Sequence, residues 1–192
     1  MLPFRQRWQS GTIRTLANER RILLLTGSRQ CGKTTLSKNL DLGKVEYRTL
    51  DNKTQREAAV LDPHSFLIHR GDMLIIDEVQ RVPSLLPAIK QVVDEDSRSG
   101  QFLLTGSAHV QALPSVQESL AGRIANIRLR PLSEGEIREA APRFLERAFA
   151  GEFNNGWADC NRDRILATAL RGGFPEVIDL APGHGGAGTG IM

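Results

Sequence analysis

Only two cysteines, Cys31 and Cys160, occur in 192 residues. They are too few and too far apart for a disulfide framework, and neither belongs to a Cys/His cluster with metal-ligand spacing. A reducing compartment is the expected setting. Aromatic residues make up 5% of the chain, which argues against a stacking platform for single-stranded nucleic acid, since that needs exposed Phe, Tyr or Trp. Long hydrophobic runs are missing as well. The best, at 22–25 and 73–76, fall far short of the roughly 20 residues that span a bilayer, and the opening MLPFRQRWQS lacks the apolar stretch of a signal peptide. No membrane partner and a cytoplasmic location are therefore expected. Lysine is scarce too, at 5 against 20 arginines, and the formal net charge is only +3. The arginines gather at Arg5, Arg7, Arg14, Arg20 and Arg21 and again between 123 and 147, which reads either as a solvated face or as a surface for DNA phosphates.

What is present is ordinary for a globular chain: 40% hydrophobic and 24% charged residues. A chain of this length buries roughly 70% of its unfolded surface, so a core needs no staple. Apolar runs end repeatedly in small or acidic residues: RILLLTG, KVEYRTLDN, MLIIDE, QFLLTGS and RIANIRLRPL. Between them lie segments of helical periodicity, from about 54 to 70 with a break at Asp62-Pro63, from Pro83 toward Gly100, and from about 107 to 120 with a kink at Pro114. Strands alternating with helices predict an α/β fold, a mostly parallel five-stranded sheet with helices on both faces. One further helix is expected over 133–149, capped by Ser133, Glu134 and Glu136, and another over 158–170. Residues 1–20 read as a helical extension, 151–180 as the start of a helical region, and the glycine-rich 181–192 as a disordered tail.

The chemistry concentrates at two of the strand ends. Gly27, Ser28, Arg29, Gln30, Cys31, Gly32, Lys33 and Thr34 fit G-x-x-x-x-G-K-[ST] without a mismatch, with Thr35 next. In such a loop the glycines let backbone N–H groups wrap phosphate oxygens, the lysine neutralises the β- and γ-phosphates, and the Thr34 hydroxyl goes to Mg²⁺. Cys31 is either a small space-filling side chain or a redox-sensitive position. Met73-Leu74-Ile75-Ile76-Asp77-Glu78 supplies the second motif: Asp77 for Mg²⁺ and Glu78 to orient and deprotonate a water. A water-activating acid favours hydrolysis over transfer to a small molecule. The absence of an Asn-Lys-x-Asp motif after a late strand disfavours GTP. Thr105 or Ser107, after the fourth strand, would reach the γ-phosphate or the water if that strand lies between the other two. Arg123 is either a surface residue or a charge-neutralising arginine, acting in its own subunit or a neighbour's.

The ordered string RILLLTGSRQCGKTTL, YRTLDN, MLIIDEVQRVPSLLPAIKQVVDE, FLLTGSA, ESLAGRI and GGFPEV, over about residues 20–178, resembles the bacterial and archaeal AAA-type ATPases that carry a C-terminal domain of unknown function. The resemblance implies a P-loop NTPase fold over 21–150 with an additional strand between the two nucleotide motifs. It also implies ATP and Mg²⁺ as ligands, residues 27–34 as phosphate loop, Asp77 and Glu78 as the acidic pair, Ser107 as a sensor and Arg123 as a nucleotide-linked arginine. Similar proteins continue into a second domain, so a truncated member is expected. Two readings follow, an ATPase and a nucleotide-bound switch that hardly turns over, with self-association or DNA as further partners.

Overall fold

The computed structural model describes residues 4–107, 110, 120, 122–152 and 161–178. They fall into two compact units, one built on Gln9–Arg130 and one on Arg5–Trp8 together with the chain from Pro131 onward. In the first unit the five apolar runs become strands β1 (Ile22–Gly27), β2 (Val45–Thr49), β3 (Met73–Asp77), β4 (Phe102–Gly106) and β5 (Ile124–Leu129). The sheet order is β2-β3-β4-β1-β5 and every pairing is parallel. β1, β3 and β4 are buried along their whole length, as continuous Leu/Ile runs require when both faces of a parallel sheet are covered.

Alternation along the strands sends side chains into two cores. Ile22, Leu24, Leu74, Ile76, Phe102 and Leu104 pack on one face with α3 (Lys53–Leu61), α4 (Pro63–Leu67) and α5 (Leu85–Glu95). Leu23, Leu25, Ile75 and Leu103 pack on the other with α1 (Gln9–Glu19) and α2 (Lys33–Asn39), through Ile13, Ala17 and Leu36. The expected α/β sheet with helices on both faces is what forms. The break at Asp62-Pro63 has a local cause: Asp62 ends α3, and its carboxylate accepts the Ser65 N–H at 3.0 Å to start α4 on Pro63. The helix expected over 107–120 and the tail over 181–192 lie outside the described residues.

The second unit corrects one expectation. The stretch 133–149 is not one helix but two, α6 (Glu134–Ile137) and α7 (Phe144–Phe149), followed by α8 (Arg162–Arg171) and α9 (Pro175–Ile178). Glu139 turns left-handed, with φ 55°, and Pro142 denies the chain an N–H and pushes Ala141 out of helical geometry. The cap at Ser133 forms as a full capping box with Glu136. Glu136 also takes the Trp8 N–H at 2.8 Å and the Arg7 guanidinium at 3.1 Å, and both charged side chains are 6% exposed. The Trp8 indole lies over Gly135, where a Cβ would meet the ring at 2.3 Å, and its Nε1 donates to Ala140 O at 3.0 Å.

Burial pushes the Glu136 carboxyl up, but the Ser133 and Trp8 N–H groups and Arg7 outweigh it and hold it below its ordinary value of 4.5. A depressed native value means stability that is present above about pH 4.5 and lost as pH falls through the native value. Arg7→Met leaves Glu136 buried without its cation and is expected to cost the second unit about 3–5 kcal/mol. Urea unfolding followed by tryptophan fluorescence, repeated from pH 7 to pH 3, checks both the loss and the weaker acid dependence of the variant.

A candidate nucleotide-binding site at the carboxyl edge of the sheet

Because all five strands run the same way, their carboxyl ends share one edge, where ligands of open α/β sheets bind. Gly27, Asp77 and Gly106 close β1, β3 and β4 on that edge, with β4 between the other two. The loop after β1 is shaped by its backbone. Gln30 and Gly32 take positive φ values of 63° and 98°, and a side chain on Gly27 would put its Cβ 2.3 Å from Leu129 O and 2.9 Å from Cys31 Sγ. Gly27 is thus required by its closeness to β5. Cys31 is fully buried, its Sγ 3.7 Å from Leu129 O, which favours the space-filling role.

Lys33 opens α2 and is 5% exposed. Its Nζ donates to Gly27 O at 3.1 Å and Ser28 O at 2.9 Å, so the ammonium is held across the mouth of its own loop. Ser28, Arg29, Gln30 and Thr35 are exposed around it. The Thr34 hydroxyl donates to Asp77 Oδ2 at 2.9 Å. Asp77, 3% exposed, accepts two further hydroxyls: Tyr47 Oη on Oδ2 at 2.7 Å and Thr105 Oγ1 on Oδ1. The Thr105 oxygen accepts in turn from the Glu78 N–H at 3.3 Å. Thr105, fully buried, therefore orients the acidic pair, and Ser107 is the residue left partly open at the tip of β4. Glu78 itself is left-handed, at φ 60°. A non-glycine residue there costs of order 1–3 kcal/mol and such outliers gather at functional sites; here it ends β3 and starts a single 3₁₀ turn at Val79–Arg81.

Tyr47 is a site residue that sequence reasoning missed. It sits on β2, beside β3 in the sheet, and the sole signal was its place in the alternating KVEYRTLDN. Burial first, then the Asp77 carboxylate, push its hydroxyl above the ordinary range, so it remains a donor at working pH. Lys38 of α2 lies 4.2 Å above the Tyr47 ring, a cation–π contact.

Arg123 lies, as expected, at the start of the fifth strand. It precedes β5 at the opposite edge of the sheet, its carbonyl accepting the Ile22 N–H at 3.2 Å, five residues or roughly 17 Å of strand from the loop. Its guanidinium grips Asp94 at the end of α5, with Nε and Nη2 at 2.5 and 3.1 Å from the two oxygens. In its own chain the structure does not bring it to the loop. Of the other arginines singled out for DNA phosphates, Arg5 donates to Ile137 O at 3.3 Å, Arg7 pairs with Glu136, and Arg21 lies 3.9 Å from Asp94.

The donor set suits Mg²⁺. Thr34 and Asp77 offer hard oxygens, and a magnesium site takes one or two protein ligands and completes its shell with water and phosphate. Among the described residues there is no group of three or more His, Cys, Asp or Glu able to cage a metal alone.

The family model described as an AAA domain, AAA_14, matches residues 19–138. The chain belongs to the AAA domain family. Two uncharacterized proteins, one of Mycobacterium tuberculosis and one of Mycobacterium bovis, are each 36% identical to this AAA-domain chain over 121 residues, covering 62% of it and 27% of their own length. The chain thus spans about a quarter of the curated relatives it matches. A solved structure of Bacteroides Pif1 bound to single-stranded DNA is similar at a TM-score of 0.45 and 17% identity, over 75% of this chain and 45% of that one. Membership of a P-loop ATPase-type family makes this a nucleotide-binding chain. Among the described residues, no helix is long and apolar enough to cross a membrane.

Tyr47→Phe keeps the ring under Lys38 and removes one of the three hydroxyls on Asp77. Losing a hydrogen bond to a charged group costs about 1.5–3 kcal/mol. Titration with a fluorescent ATP analogue is expected to show binding weakened by roughly 10- to 150-fold in Mg²⁺ and unchanged in EDTA.

Proposed function

We propose that the protein binds Mg-ATP at the loop after β1 and hydrolyses it to ADP and phosphate. The observation that carries this reading is the junction of Thr34 with Asp77 at 2.9 Å, beside a loop closed by Lys33 and next to Glu78. It joins the two nucleotide motifs through the side chains that a magnesium-bound phosphate chain needs. Adenine is favoured by family membership and by the missing guanine-reading motif.

The residues divide the work. Backbone N–H groups of 27–34 turn toward the phosphate oxygens, and Lys33 exchanges the Gly27 and Ser28 carbonyls for oxygens of the β- and γ-phosphates. Thr34 and Asp77 would hold Mg²⁺, with Tyr47 and Thr105 fixing the carboxylate. The metal, when bound, neutralises charge on the β- and γ-phosphates. Glu78 takes a proton from the attacking water as the water oxygen bonds to the γ-phosphorus. The bond from that phosphorus to the bridging oxygen breaks, its electron pair leaving on ADP. Ser107, at the tip of β4, faces the position of the γ-phosphate and donates to it.

The test is binding and turnover by wild type beside Lys33→Ala and Glu78→Gln. Lys33→Ala is expected to weaken nucleotide binding by roughly 10- to 150-fold. Glu78→Gln should bind as wild type does and lose about 10²–10⁴ in kcat. Binding without turnover in wild type would replace the enzyme reading with a nucleotide-bound switch.

A further inference from the structure

Gln80 lies at this edge of the sheet, beside Glu78, and has no role in the hydrolytic reading. It sits in the 3₁₀ turn Val79–Arg81, anchored on either side by Val79 and Val82, which are 1% and 2% exposed. Its Nε2 donates to Glu78 Oε2. Its Oε1 is buried, has no hydrogen-bond partner among the described residues, and lies against Gly106, where a Cβ would come within 2.7 Å of it. The amide therefore stands between the water-activating carboxylate and the tip of β4. Its orientation is chemically fixed, because only the nitrogen end can face a carboxylate.

Resting on the hydrolytic reading of this site, we propose that Gln80 is the positioning residue that holds the Glu78 carboxylate in line for water activation. Glu78 projects from a left-handed turn, and its side chain has rotamers to lose before it can act as a base. A single neutral donor removes that freedom. An amide does this without the cost that a lysine or arginine would bring, since a cation at hydrogen-bond distance would stabilise the carboxylate and weaken it as a base. The other end of the amide rests on Gly106, the last residue of β4, the strand between β1 and β3, so the position of the base is tied to the strand that Ser107 follows.

The test is a double-mutant cycle on the full chain with Gln80→Met, Glu78→Gln and the pair. Methionine keeps the length and volume of the side chain and removes the donor. A displaced catalytic group of this kind costs up to about 10²-fold. We expect Gln80→Met to lower kcat by about 10- to 100-fold, with an unchanged KM, unchanged affinity for an ATP analogue and an unchanged melting temperature. In the Glu78→Gln background the same change is expected to have no further effect, because Gln80 acts through Glu78. Full turnover in Gln80→Met, faster turnover, or losses that multiply in the double variant would each overturn the proposal and leave the hydrolytic reading standing. A wild type no faster than Glu78→Gln would remove the hydrolytic reading, and Gln80's role with it.

Discussion

The buried carboxylate of Asp77 is the constraint around which the first unit is arranged. A carboxylate 3% exposed is costly unless its oxygens are satisfied, and here three hydroxyls satisfy them. Thr34 comes from α2, Tyr47 from β2 and Thr105 from β4, while Asp77 itself ends β3. One charge thus fixes four elements at the edge where the loop opens. The same three donors decide which way the carboxylate faces.

That arrangement depends on the order of the strands. β1 and β3 are separated by β4, a gap of roughly 9.6 Å at about 4.8 Å per strand. Thr105 fills it near the floor. Had β3 paired directly with β1, Asp77 would crowd Lys33 and no residue of β4 could stand between loop and base. The left-handed turn at Glu78 belongs to the same geometry, since a strand continuing straight would carry the acid past the loop.

The parts legible in the sequence were those whose cause is local. Continuous apolar runs named the buried strands, the spacing of Gly27, Gly32, Lys33 and Thr34 named the loop, and Asp62-Pro63 named a helix boundary. Tyr47 and Gln80 were not legible, because their importance lies in partners brought close by folding: Tyr47 meets Asp77 across 30 residues of chain, and Gln80 meets Gly106 across the strand order. Arg123 has a partner that folding decides as well. Its neighbours in sequence left a surface residue and a nucleotide-linked arginine open; in this chain it stands at the edge where parallel strands begin, paired with Asp94. The break in 133–149 has a local cause, Pro142, which the expectation of one helix did not take into account.

The arginine excess also takes a different meaning once partners are known. A planar guanidinium suits fixed ion pairs, and several described arginines make them: Arg7 on Glu136, Arg123 on both oxygens of Asp94, Arg81 on Asp51, and Arg138 and Arg171 on Glu134. These pairs bind loops and helix ends to one another. Lysine, a compact charge on a flexible stem, suits partners that change. Two of the five lysines, Lys33 and Lys38, lie on α2 beside the loop, one donating to loop carbonyls and one over the Tyr47 ring. A lysine bonded to neutral carbonyls gives them up to a phosphate with a gain in electrostatic energy, whereas an arginine already paired with a carboxylate would have to break an ion pair first. Under the proposed function, the scarce cation is therefore the one stationed where a ligand would be exchanged.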